Sequence, residues 1–284
     1  MKTFLKQVSP VLAVAALALW YSACDQNPIT QLVVLGRPLY GVDTSNVLVR
    51  FGSLDPDSNV TRYPITGLQL GEVILAIDFR PLDQRLYALS NASRIYVIDT
   101  QSGSAIQVGP SPFSPRASGN SFGFDFNPVL DRIRLHSDAD QDLRLNPDTG
   151  GLAGRDSTLA YANGDLSSGF NPNVVGTAYT NSVAGAQVTT LYGIDSAFDA
   201  LVILPNPNNG QLFTVGTLGV NTSDWVGFDI SGRDNMAFAA LYIGDPSGLS
   251  GLYTINLVTG AATFVGLIGT PGIHAPLRAL AIAP

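Results

Sequence analysis

The sequence predicts an all-β chain, a β-propeller of about five four-stranded blades closed by pairing of N- and C-terminal strands. Three observations carry that expectation. A turn pattern recurs five times: Asp55-Pro-Asp-Ser-Asn59, Asp99-Thr-Gln-Ser-Gly103, Asn146-Pro-Asp-Thr-Gly150, Asn206-Pro-Asn-Asn-Gly210 and Asn256-Leu-Val-Thr-Gly260. Their closing residues lie 44, 47, 60 and 50 positions apart, near the blade period of about 40–50 residues. Gly and Pro supply 29 and 18 of the 284 residues, while charged residues are 13% against a usual share of about 25%. Lys2 and Lys6 are the only lysines and Glu72 the only glutamate, so the residues that clothe exposed helices are nearly missing. A helix bundle, a coiled coil and a zinc-finger array are excluded.

Each pentapeptide has the chemistry of a hairpin connection built on a type I turn. Asp or Asn at the start bonds forward to the backbone, Pro suits the second position, and a closing Gly or Asn accepts the left-handed conformation.

Taken in chain order, residues 1–23 read as a signal peptide of the lipoprotein type: a short basic stretch, an apolar run over 11–21, then Ser22-Ala23 before Cys24. The apolar run is about half the length that spans a bilayer. Cys24 is the expected lipidation site, and as the lone cysteine it cannot form an internal disulfide. Residues 24–31 are a tether and 32–284 the propeller. Loss of Lys2 and Lys6 with the signal leaves 13 Arg against 22 acidic residues, a net charge of −9. That balance argues against nucleic acid as a partner and confines membrane contact to the anchor.

The strand segments follow. The first blade takes strands from 32–66 and one from Arg278–Ala283. The second is read from Ile74–Phe79, Arg85–Leu89 and Arg94–Ile98, and the third from Phe122–Phe126, Arg132–His136 and Asp142–Leu145. Val174–Tyr179, Thr190–Ile194 and Ala200–Leu204 begin the fourth; Trp225–Ile230, Met236–Tyr242 and Gly251–Ile255 begin the fifth. These runs are β-branched, aromatic or alternating. Strands after three of the turns end at Val108-Gly109, Val215-Gly216 and Val265-Gly266. Segment 151–173, dense in Ser, Gly, Asn and Asp, reads as a loop inserted over one face.

Several stretches together resemble a known family. Asp78-Phe-Arg-Pro with Arg85-Leu-Tyr-Ala-Leu89, Phe122-Gly-Phe-Asp-Phe-Asn-Pro128 with Asp131-Arg-Ile-Arg134, and Leu143-Arg-Leu-Asn-Pro-Asp-Thr-Gly150 are similar to bacterial domain-of-unknown-function family 4394. Leu159-Ala-Tyr-Ala, Asn171-Pro-Asn-Val-Val175 and Ala178-Tyr-Thr-Asn181 fit it too. The resemblance implies a propeller-like secreted or envelope domain and transfers no catalytic residue.

Candidate chemistry is sparse. Gly119-Asn-Ser121-Phe-Gly123 matches the hydrolase pattern G-x-S-x-G, yet it leads into a strand where the motif needs a turn into a helix. His136 falls in a predicted strand and His274 in a terminal loop. Asp138, Asp140 and Asp142 alternate as calcium ligands do, but Leu143 and Thr149 stand where an EF-hand needs Gly and Glu. Asp78, Asp125 and Asp229 occupy one repeat position, each inside an apolar strand, and are the candidate metal ligands. Their structural alternative is bonding to the turn of their own blade or to Arg85, Arg132 or Arg233.

Two functions follow. The first is a non-catalytic, lipid-anchored, extracytoplasmic binding or scaffold module, in the periplasm or on the cell surface. It would meet an envelope or extracellular partner through the face carrying Tyr161, Asp165, Asn171, Asn173 and Tyr179, with no cofactor. The alternative is a metal-dependent hydrolase, lactonase- or phosphoesterase-like, with calcium or another divalent cation in the central channel.

Overall fold

The computed structural model describes residues 34–284; the expected signal sequence, Cys24 and the whole 24–31 tether lie outside the described residues. The described chain is all-β, with five sheets set around a channel. Blade one opens with β1 (Pro38–Asp43), β2 (Val47–Gly52) and β3 (Thr61–Pro64). Blade two is β4 (Ile74–Phe79), β5 (Leu86–Ser90), β6 (Ile95–Ile98) and β7 (Ala105–Val108). Blade three is β8 (Phe122–Asn127), β9 (Arg132–Ser137), β10 (Asp142–Leu145) and β11 (Leu152–Arg155). In blade four, β12 (Ala160–Tyr161) precedes β13 (Val174–Tyr179), β14 (Leu191–Asp195), β15 (Ala200–Leu204) and β16 (Gln211–Thr217). Blade five is β17 (Val226–Ile230), β18 (Ala237–Leu241), β19 (Gly251–Ile255) and β20 (Ala262–Leu267). The last strand, β21 (Leu277–Ile282), pairs antiparallel with β1 and completes blade one. The ring is thus closed by the two ends of the domain, as the assignment of Arg278–Ala283 to the first blade predicts.

The repeated turns join the third and fourth strand of every blade. Their closing residues, Asn59, Gly103, Gly150, Gly210 and Gly260, all have positive φ, between 50° and 81°. Asp99, Asn146 and Asn256 accept bonds from backbone N–H groups two residues on, at 2.7–2.9 Å. The pattern recurs because each blade needs the same left-handed exit.

The core lies between blades. Along β18, Phe238 and Ala240 pack toward blade one, while Ala237, Ala239 and Leu241 pack toward blade four. This period of two is what a strand dictates when both faces of its sheet are covered. Similar apolar layers separate blades one and two and blades two and three, and a further apolar cluster lies on blade four.

Segment 151–173 differs from the expected loop insertion. It supplies β11, the outer strand of blade three, and β12, which adds in parallel to the outer edge of β16. Three of the four β11 residues are exposed, so the strand has no apolar alternation by which to be recognised. Among the described residues, no helix is long and apolar enough to cross a membrane.

Candidate metal centre

The innermost strands β4, β8, β13, β17 and β21 face one another across the channel. Asp78, Asp125 and Asp229 lie on three of them. A hydrogen-bond relay defines their level: Phe126 N–H donates to Asp78 Oδ2 (2.8 Å), Tyr179 N–H to Asp125 Oδ1 (3.1 Å) and Ile282 N–H to Asp229 Oδ2 (2.6 Å). Each carboxylate therefore ties its own blade to the next. Asp78 and Asp229 also accept from the N–H that follows them, at 2.7 and 2.6 Å. Because Phe126 follows Asp125, the residues before Tyr179 and Ile282 are the equivalents in the other two blades, and both are alanines, Ala178 and Ala281. The ring comprises three carboxylates and two methyl groups.

The structure brings the three sequence-predicted ligands together: one carboxylate oxygen from each lies within 4.8 Å of the others. All three residues are 2–4% exposed. Burial pushes all three carboxyls above the ordinary range. The charge of Asp229 adds to the rise at Asp78, and those of Asp78 and Asp229 add to it at Asp125. Asp229 is pushed up to about 7 by burial, against the opposing pull of the Ile282 and Ile230 N–H groups. The expected alternative partners are different from those observed. Arg85 bonds Asp83, Arg132 bonds the Asp131 carbonyl, and Arg233 is exposed, while the ring is held by five backbone donors, three of them from the neighbouring blade. Three carboxylates in so small a buried space cannot all be ionised without a counter-charge. They must share protons or enclose a cation.

On the side toward the C-terminal ends of the inner strands, the ring floors a cavity of about 320 Å³. Arg37, Gln84, Ser231 and Arg233 bring polar groups to its wall. Arg37 is anchored by donating to Ser231 Oγ (2.6 Å) and by pairing with Asp234. On the other side the channel narrows to a space of about 10 Å³, the lower bound for one water. Gly123 is required there, since a Cβ would stand 2.3 Å from Thr177 Oγ1. That hydroxyl is buried without a hydrogen-bond partner.

The residues expected to form a binding face are mostly engaged in bonds within the fold. Tyr161 is buried and donates its hydroxyl to Asp195 Oδ2 (2.5 Å), and Tyr179 is an inner-strand residue whose ring is 1% exposed. Asp165 accepts from Thr214 N–H (2.7 Å) and Thr214 Oγ1 (2.8 Å), which pins the segment to β16. Asn173 donates to Ser196 Oγ (2.7 Å) and Asp224 Oδ1 (2.8 Å). Asn171 alone is exposed, its amide turned to the Pro172 carbonyl. These groups are occupied in holding blade four, because β12 makes the segment part of a sheet.

The remaining motifs also resolve into structure. Ser121 directly precedes β8. Asp138 accepts from Asn120 N–H (2.9 Å), whereas Asp142 is buried against Arg134 (2.7 Å) and His136 (3.3 Å), so the three alternating aspartates do not converge. His274 Nδ1 accepts from Thr270 N–H (2.8 Å) within its own turn. Reasoning from sequence missed the two ring alanines and the cavity arginines. Aligning Thr177-Ala178-Tyr179 with Phe124-Asp125-Phe126 exposes the first; nothing local marks the second.

Comparison with known proteins agrees with this architecture. Residues 47–281 match the family described as Domain of unknown function (DUF4394), and the chain belongs to that family. No curated protein sequence matches it. Among solved structures it is similar to a chain from work on the de novo evolutionary emergence of a symmetrical protein: 13% identity, 86% of this chain, 97% of the other and TM-score 0.50. An engineered GH43 glycoside hydrolase with endo-xylanase and exo-arabinofuranosidase activity matches at 10% identity over 81% of this chain and half of the other, TM-score 0.50. A chain of a nidogen/laminin complex matches at 13% identity over 88% and 99%, TM-score 0.48. At such identities the two likenesses at TM-score 0.50 concern the fold alone.

Proposed function

We propose that this DUF4394 propeller is a non-catalytic binding module of the cell envelope, anchored through Cys24, whose channel holds a divalent cation on Asp78, Asp125 and Asp229. The observation that carries the reading is the ring itself: three buried carboxylates whose oxygens converge within 4.8 Å with no arginine or lysine bonded to them among the described residues. Hard oxygen donors of this kind suit calcium or magnesium. A bound cation would convert mutual repulsion into attraction and favour the ionised carboxylates. The cavity above the ring is where a small polar ligand would meet the cation, with Arg37 and Arg233 on its wall.

The test is calorimetric titration of chelator-treated protein with calcium, magnesium, manganese and zinc at pH 7, in buffers of different ionisation enthalpy. One equivalent of cation should bind with release of protons, and Asp125→Asn should abolish it. Absence of binding by any of the four at millimolar concentration overturns the reading. Turnover of a lactone or phosphoester by the loaded protein, lost in Asp125→Asn, would replace binding with the hydrolytic alternative built on the same ring.

A further inference from the structure

A second cavity, of about 500 Å³, opens far from the channel, between β19 and β20 of blade five and the first repeated turn of blade one. Its apolar wall is Ile243, Tyr253, Phe264 and Leu267, and its charged edge is Asp57 and Asp245. Phe264 is 54% and Ile243 47% exposed. Tyr253 and Phe264 stand edge to face with ring centroids 5.3 Å apart. The space depends on Gly251, where a Cβ would lie 2.8 Å from the Tyr253 ring and 3.0 Å from the Phe264 ring. Any larger residue would displace the aromatic pair.

The charge at this site has one sign. Asp245 accepts from Ser247 N–H (2.8 Å), and the Ser247 bonds hold its carboxyl below the ordinary range, so it is ionised at neutral pH. Neither Asp57 nor Asp245 takes part in an ion pair among the described residues. A metal ion gains nothing from the aromatic wall, and a neutral apolar molecule gains nothing from the two carboxylates. A cation with an alkyl skeleton uses both: its body covers Phe264 and Ile243, and its charge meets the carboxylates and the ring face. A domain with net negative charge also attracts such a ligand from solution.

We infer that this cavity is a binding site for a small alkylammonium ligand, with Phe264 as the aromatic platform and Asp57 and Asp245 as its counter-charges. The site is independent of the channel ring and of any cation there.

Choline and its neutral isostere 3,3-dimethylbutan-1-ol are the probes, titrated into the full chain by calorimetry or by protein-observed NMR. Choline should bind at least about tenfold more tightly than the isostere, and Asp57→Asn/Asp245→Asn should erase that preference. Phe264→Ala should weaken choline by about tenfold or more while circular dichroism and melting temperature stay near those of the parent. Both probes binding alike, the double variant binding choline as the parent does, or no choline binding at 10 mM (about the weakest affinity such contacts support) would each overturn the inference.

Discussion

Two clusters of buried carboxylates lie at neighbouring places in this propeller, and they are solved in opposite ways. Between blades three and four, Arg134 donates to Asp142, Asp156 and Asn208, Arg144 closes on Asp156, and His136 faces Asp142. Burial alone would raise the Asp142 carboxyl, but His136 and Arg134 outweigh it and hold it below the ordinary value. In the channel, Asp78, Asp125 and Asp229 have the same burial and no cationic partner, and their carboxyls rise. A buried acid that the protein has neutralised with its own arginine is part of the architecture. One left to backbone N–H groups and other acids retains a capacity for something from outside.

The contrast can be broken from the paired side first. Arg134→Met should leave Asp142 and Asp156 buried without their main counter-charge and cost about 3–5 kcal/mol, read as a drop in the urea midpoint. Next comes the unpaired side. A carboxyl whose folded-state value lies above its unfolded one contributes stability that is complete below the unfolded value and lost as pH rises through the folded one. For Asp229 that window runs from about 4 to about 7. Chelator-treated protein should therefore lose stability on the order of a few kcal/mol between pH 4 and pH 8. Asp229→Asn should flatten that slope, and saturating calcium should restore the loss at pH 8; a slope unchanged by both would show that the ring does not titrate in this range.

Smaller changes sharpen the comparison. Gly123→Ala presses a methyl onto Thr177 Oγ1 beside the ring and should cost about 1–3 kcal/mol, with weaker cation uptake as its second readout. Arg144→Gln loosens the paired cluster from its half-exposed side. Its side chain is 31% exposed, so the melting temperature should move least, for a loss of about 0.5–1 kcal/mol.

Much of the fold was legible because it repeats. Asn59 and the four turn glycines must take positive φ in every blade, and that demand selects residue types visible without coordinates. The aspartate level was legible for the same reason: Asp78, Asp125 and Asp229 stand at one position of three apolar strands. β11 and β12 were not, since an outer strand that is mostly exposed carries no apolar alternation. Tyr161, Asp165 and Asn173 looked available for a ligand because they sit in a polar stretch; their partners Asp195, Thr214 and Ser196 are distant in the chain.

By itself, then, the amino-acid order determined the blade count, the turns, the closure and which carboxylates share a level, because each follows from local backbone preference repeated at a fixed period. Tertiary structure alone decided which acids are neutralised. Arg134 meets Asp156 across 22 positions and the ring aspartates meet N–H groups 48 to 54 positions away. Such partners are set by how blades pack around the channel, and no local pattern records them.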